Sequence, residues 1–352
     1  MTKTPDTSYS HDMQNIYVFI FFVSTWVAFF CAPHATAESR LALPFGETPY
    51  TLSVSPSFGM FYGQSEELVY QTSDEDTYLS QLLWDIKPVW YYGSALSYGL
   101  EDPLQKIALF AEAAFRSGIP AGTGIMEDRD WMAPDYQLSH FSTHTNFTRG
   151  ALLADIGLGL TIPMRSRMWI KAGLWLSYMW FSWDSQNGYL QHATENFDGV
   201  YEVWNENIPK VYLFGPAISY IQNWLLFSPG FSLQFPLGRI SCLGFSLHWS
   251  PFVLAKAQDI HHSKPDVEYL DYLSSGAMFF EPRSELTFSP HKNLSLSWYI
   301  AYRYISSVRG ISKNRKTITS SSADDGSYSN TANKSGASYR ALETGISCTI
   351  RL

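Results

Sequence analysis

Cysteine is scarce: the 352-residue chain has three, Cys31, Cys242 and Cys348. That number gives no metal-ligand spacing and at most one disulfide, so neither a zinc site nor a stapled fold is indicated. Basic charge is also in deficit, with 24 Lys and Arg against 32 Asp and Glu and a net charge of −8. A nucleic-acid binder needs a basic face, and this balance weighs against one. No G-x-S-x-G elbow and no glycine-rich phosphate loop occurs, which removes serine-hydrolase and nucleotide-binding readings. Past the N-terminus there is no apolar run of the roughly 20 residues that a membrane helix requires, and mean hydropathy is only −0.12.

What is abundant is aromatic: 22 Tyr, 23 Phe and 12 Trp make 16% of the chain, as large a share as the charged residues. Amphipathic rings favour the headgroup level of a bilayer, and two interfacial girdles would use this many. The N-terminus carries an address. "NIYVFIFFVSTWVAFFCAP" is an apolar run followed by "HATAESR", with an A-x-A site at Ala35–Ala37. This predicts a signal peptide over residues 1–37 with cleavage before Glu38. Met13 is an alternative start. A lipoprotein reading of Cys31 is disfavoured because "AFFC" lacks the small residue usual before such a cysteine. The mature chain is then either soluble and exported or a β-barrel whose spans are hidden in alternation.

Alternation recurs. "ALLADIGLGLTI" (151–162) sets Leu152, Ala154, Ile156, Leu158, Leu160 and Ile162 on one face. "WIKAGLWLSYMW" (169–180), "NLSLSWYIAYRY" (293–304) and the C-terminal "LETGISCTIRL" repeat the pattern. Period two over ten or more residues predicts strands longer than the usual five or six. One face is continuously apolar and the other small or charged, as for a lipid-facing wall around a polar lumen. In a bilayer such a sheet must close, since an open edge leaves backbone groups unpaired.

The connections set the strand number. Short links at 100–104, 163–167, 236–239 and 290–293 alternate with long ones near 67–79, 121–147, 187–207, 259–268 and 311–338. Five long loops on one side and four short turns on the other predict an all-β, ten-stranded antiparallel transmembrane barrel over residues 38–352. The long stretch 208–236 reads as one protruding strand.

Two clusters carry chemistry, both expected in long loops on the outer side. "MEDRDWM" (126–132) holds Asp128 and Asp130, and "AQDIHHSKP" holds Asp259, His261 and His262. Residues i and i+2 of an extended chain share a face, so Asp128 sits beside Asp130 and Asp259 beside His261. Adjacent carboxylates resist joint ionisation, and a carboxylate beside histidine orients it and favours its protonated form. Across a groove, such pairs could hold and deprotonate a water.

At these residues the chain resembles the omptin family of bacterial outer-membrane proteases. "MEDRDWM" is similar to that family's M-x-D-x-D-W-M segment and "DIHHSKP" to its D-x-H motif. "FGMFYGQSEELVY" (58–70) and "LSQLLWDIKPVWYYGSALSYGL" (79–100) resemble its first two strands. The likeness in motif order covers residues 50–352. The resemblance implies a ten-stranded barrel with its active site at the extracellular mouth. Asp128 and His261 would hold the nucleophilic water, with Asp259 orienting His261 and Asp130 supporting Asp128. Glu67 would bind the basic side chain before the scissile bond, lipopolysaccharide on the outer wall would act as activator, and no metal is implied. Peptides or proteins at the cell surface would be the substrates, and a monomer is expected.

Departures are specific. The family's second acid in the basic-residue pocket falls at Ala257, the loop 133–147 is short, and the chain ends in Leu352 rather than an aromatic. They motivate an alternative reading as a non-catalytic adhesin or receptor; a small passive porin is a third. His140 and His144, four apart, suggest groove lining or local hydrogen bonds rather than a metal site. Asp74, Glu75 and Asp76 read as solvated loop charges, and 312–336 as a surface loop whose Lys313, Arg315 and Lys316 are solvated. His248 is expected to face the lumen, and Asp155, Lys171, Arg303, Glu343 and Arg351 to join an ion network there.

Overall fold

The computed structural model describes residues 50–72, 76–100, 107–120, 123–164, 168–262, 267–316 and 327–352. The expected signal peptide, with Cys31, and Asp74 and Glu75 lie outside the described residues. The described chain is almost entirely strand. In order these are β1 (Tyr50–Tyr70), β2 (Tyr78–Leu100), β3 (Ala108–Gly118), β4 (Thr123–Asp130), β5 (His140–Pro163), β6 (Trp169–His192) and β7 (Val211–Pro236). They continue as β8 (Ser241–Ser250), β9 (Val253–His261), β10 (Val267–Ser275), β11 (Phe279–His291), β12 (Leu294–Lys316) and β13 (Ser329–Arg351).

All pairings are antiparallel, and the sheet closes on itself. β1 pairs both β2 and β13, while β12 pairs β10 and β11, whose neighbours β9 and β8 both pair β7. Three wall positions are each broken in two: β3 then β4, β8 then β9, β10 then β11. The thirteen segments therefore make a ten-stranded ring. The breaks have local causes. Pro251 has no N–H for the ladder, and Ser250 Oγ instead accepts from Phe252 N at 2.8 Å. Between β10 and β11, Gly276 turns through φ +79°, a conformation that costs glycine nothing, and Met278 N donates to Ser306 Oγ at 2.8 Å.

Below these breaks the outer wall is apolar. Ile156, Leu158, Leu174, Phe227, Trp298 and Ile346 are among many large hydrophobics that point outward and stay exposed. So extensive an apolar exterior is untenable in water and fits a hydrocarbon belt. Above the breaks charged residues join the exterior, with Arg149, Lys256 and Arg340 exposed beside Ile125, Tyr212 and Ile311.

The interior has two tiers separated by a packed layer of rings. Trp84, Trp183, Tyr220, Phe181 and Phe61 are fully buried in mid-lumen, with Trp84 and Tyr220 stacked at 5.3 Å and Phe181 and Trp183 at 5.5 Å. This layer fills the space that a pore would need. Beneath it, charges are paired. Arg116 bonds Asp155 at 3.0 Å and Glu343 at 3.1 Å, Arg283 bonds Glu285 at 2.8 Å, and Arg303 pairs with Glu281. Tyr91 and Tyr299 both donate to Glu343. His248 stacks on Trp175 with ring centroids 4.5 Å apart.

Three sequence expectations are corrected. The supposed long loop 121–147 is mostly strand, since β4 ends at Asp130 and β5 begins at His140. The expected loop 312–336 is also partly strand, because β12 runs to Lys316 and β13 starts at Ser329. Arg315 there is not merely solvated but bonds Glu268 at 2.6 Å. Arg351 is exposed at the lower rim, donating to Lys292 O at 3.0 Å instead of joining the lumen network. Cys242 and Cys348 are both free thiols.

Candidate active site

Asp128, Asp130, Asp259 and His261 stand on strands rather than in loops. The first two lie on β4 and the second two on β9, in each case on the upper half of a broken wall position. Alternation turns each pair inward: on β4 the even positions continue from buried Gly124 and Met126, and on β9 the odd ones from buried Ala257 and Asp259. A strand fixes its side-chain directions through two neighbouring ladders. β4 is held by β2 and β5, and β9 by β7 and β10. These functional groups are therefore set by the wall and not by loop conformation.

His261 Nε2 meets Asp259 Oδ2 at 2.6 Å, and the Tyr269 ring packs edge-on against the imidazole at 5.5 Å. Burial opposes a charge on His261, but the Asp259 carboxylate outweighs it and raises the imidazole to about 9, with Asp128 and Asp130 adding to the rise. Asp128 is pushed up to about 8, first by burial and then by the Asp130 carboxylate; the His261 charge pulls the other way. Asp130 is raised too, by burial, against the Ser80 hydroxyl. Ser80 is opposite Asp130 in the β2–β4 ladder and its Oγ donates to Asp128 Oδ1 at 3.4 Å. The two inward pairs are thus close enough for each to shift the other's titration, which the extended-chain argument alone could not decide.

In the same row lies Glu67 on β1, buried and opposite Leu82, the residue that also faces Asp128 in the β2–β4 ladder. Burial holds the Glu67 carboxyl well above its ordinary range, and Asp259, Asp271 and Asp128 add to this. Glu67 Oε2 and Asp259 Oδ1 have no hydrogen-bond partner. An unpartnered buried carboxylate oxygen is costly unless it shares a proton or meets a cation.

Asp271, on β10, was not singled out by sequence. It is buried, directly opposite Ala257 in the β9–β10 ladder, and its Oδ1 is likewise unpartnered. Burial raises it to about 7, with the Ser312 hydroxyl opposing and the Asp259 charge adding. The available signal was alternation in "EYLDYL", which sets Tyr269, Asp271 and Leu273 on one face.

The histidines of β5 line the groove. His140 takes up Ser139 Oγ at 2.8 Å and packs against His192 at 4.3 Å and Tyr201 at 4.7 Å. His144 bonds Ser142 Oγ at 3.2 Å as well as Asn187 O. Burial lowers His140, His144 and His192, favouring the neutral rings. His262 bonds Ser219 Oγ at 2.9 Å. Among the described residues no group of His, Cys, Asp and Glu is arranged to hold a metal ion.

Comparison with known proteins is consistent with this geometry. The sequence model of the Omptin family matches residues 48–351. The crystal structure of outer membrane protease OmpT from Escherichia coli superposes with a TM-score of 0.72 at 17% identity, covering 89% of this chain and 100% of that one. The translocator domain of the autotransporter NalP from Neisseria meningitidis reaches a TM-score of only 0.33 at 6% identity, with 84% and 88% covered. The Pseudomonas putida toluene transporter TodX gives 0.27 at 9% identity, with 86% and 91% covered. Neither of these two bears on the argument. No curated protein matches the chain.

Proposed function

Because the chain belongs to the omptin family and is an outer-membrane β-barrel protease acting on peptide substrates at the cell surface, we propose that it is an endopeptidase that cleaves beside basic residues with an Asp128/His261-activated water. In this reading the Asp128 carboxylate takes a proton from water, whose oxygen attacks the scissile carbonyl carbon. The His261 imidazolium, oriented by Asp259, stabilises the developing oxyanion. Collapse breaks the C–N bond, and the leaving amine takes up the proton that Asp128 accepted from the water, returning Asp128 to its carboxylate. Asp130 acts through Asp128 by raising its basicity, so that it is a positioning residue. No covalent intermediate forms.

The observation that carries the reading is the Asp259–His261 contact of 2.6 Å facing the Asp128/Asp130 pair at one end of the lumen. The basic preference rests on Glu67, buried with an oxygen unpartnered in the row of Asp128. Lipopolysaccharide as an activator follows from the family resemblance. Refolded protein, assayed on dibasic peptides with and without lipopolysaccharide, tests all three parts. Hydrolysis is expected in wild type and lost in Asp128→Asn and His261→Ala; undiminished turnover in both variants would overturn the mechanism.

A further inference from the structure

We infer that Asp271 supplies the second carboxylate of the pocket for the basic side chain, replacing across the β9–β10 ladder the acid that Ala257 lacks. The inference rests on the basic-residue reading above and extends it to a residue that the family pattern does not assign.

Residues directly opposite in an antiparallel ladder point to the same face of the wall, with their Cβ atoms about 5 Å apart. Asp271 is opposite Ala257, and Ala257 in turn is opposite Gln222 on β7. All three are buried on the lumen side. An aspartate at position 257 would project into the space above the Ala257 methyl, and the Asp271 carboxyl borders that space from the neighbouring strand. The swap therefore moves the acid sideways by one strand and keeps it on the same wall at the same height.

Among the described residues the cation beside these acids is His261, and it is already held by Asp259. Asp271 meets only the Ser312 and Ser335 hydroxyls and Glu67 only the Asp259 carboxyl, leaving Asp271 Oδ1, Glu67 Oε2 and Asp259 Oδ1 buried and unpartnered, while Gln222 turns both ends of its amide to neutral groups, accepting from Ser65 Oγ and donating to Glu66 O and Tyr220 OH. Buried carboxylates are ordinarily paired or hydrogen-bonded, and in this same barrel the lower ones are. Glu67 approaches from the β1 wall and Asp271 from the β10 wall, so a guanidinium or ammonium entering between them meets acid on two sides. The two are near enough that the Asp271 charge is among those that raise Glu67.

The ligand class is a cationic side chain, and the probes are uncleavable reduced-amide peptides carrying either arginine or its neutral isostere citrulline before the reduced bond. Binding is measured by calorimetry on refolded protein with lipopolysaccharide, folding being checked by the heat-dependent gel mobility of intact barrels. Wild type is expected to favour the arginine peptide by about 100-fold, as for a charge paired on burial. Asp271→Asn is expected to cut that ratio by at least about tenfold, and Ala257→Asp in the Asp271→Asn background to recover most of it. Asp271→Ser serves where the asparagine variant does not fold. An unchanged ratio in the Asp271 variants would overturn the inference while leaving the basic preference intact. Loss of the preference in wild type would overturn both. Arginine-selective binding without hydrolysis of the matching amide peptide would remove the catalytic assignment and leave the Asp271 pocket standing.

Discussion

The lower and upper tiers of the lumen contain similar acids put to opposite use. Below the aromatic layer, Glu343, Asp155, Glu281 and Glu285 each meet an arginine, and Glu343 also receives two tyrosine hydroxyls. Above it, Glu67, Asp259, Asp271 and the Asp128/Asp130 pair converge, with His261 as the cation set directly against one of them. In the lower tier every one of these acids has an arginine partner, as a narrow interior requires if it is only to hold the wall together. The upper tier holds more acids than cations, and burial with mutual repulsion raises Glu67, Asp128, Asp130 and Asp271, so that they keep protons until a cation arrives. The difference shows where the molecule spends stability: unpaired buried acids are tolerated where a substrate cation and a water are to be bound.

Substitutions in the two tiers should therefore separate turnover from stability. The largest effect is expected above: Asp128→Asn should lower kcat by about 10³-fold with the denaturation midpoint little changed, as measured by single-turnover hydrolysis and by unfolding in detergent. Below, Glu343→Gln leaves the Arg116 guanidinium with one acid partner fewer in a buried site. It should cost about 3 kcal/mol of stability, read from the shift in chemical denaturation midpoint, with kcat preserved in the folded fraction. Equal behaviour of the two tiers would erase the distinction.

A smaller effect concerns pH. The Asp128 carboxyl, raised to about 8, is protonated and idle as a base below that value, and the His261 imidazolium persists up to about 9. Activity should rise with pH through the first value and fall above the second, giving a narrow bell. Asp130→Asn removes a neighbouring negative charge, so its acid limb should move to lower pH in a kcat–pH profile. An unmoved limb would mean that Asp130 does not act through Asp128. The smallest expected change is at the groove rim: His192→Gln should alter KM by only a few fold, because that side chain is exposed and neutral polar contacts contribute about 1 kcal/mol.

Much of this arrangement is legible in the chain. Period-two alternation gave the wall, and the count of short and long connections gave ten strands, since lipid demands an apolar outer face at every second residue. The unbroken reading of 208–236 matches β7. What escaped was how far strands run above the bilayer. Around Asp128 and His140 the outward residues need no longer be apolar, so alternation fades although the ladder continues. That loss of contrast made β4 look like a loop. It also hid Asp271, whose significance depends on a cross-strand neighbour, Ala257, and not on any local motif. Asp128, Asp130, Asp259, His261 and Glu67 were nameable because their spacing within one strand, or their likeness to a family segment, is local.

The excess of acids over cations in the upper tier is what receives a basic side chain. The measurement that tests this most directly is kcat/KM for paired peptides that differ only in arginine or citrulline before the scissile bond, in wild type and in Glu67→Gln. The expected result is a preference of about 100-fold for arginine in wild type, reduced at least tenfold in the variant. Equal rates on the two peptides in wild type would contradict it.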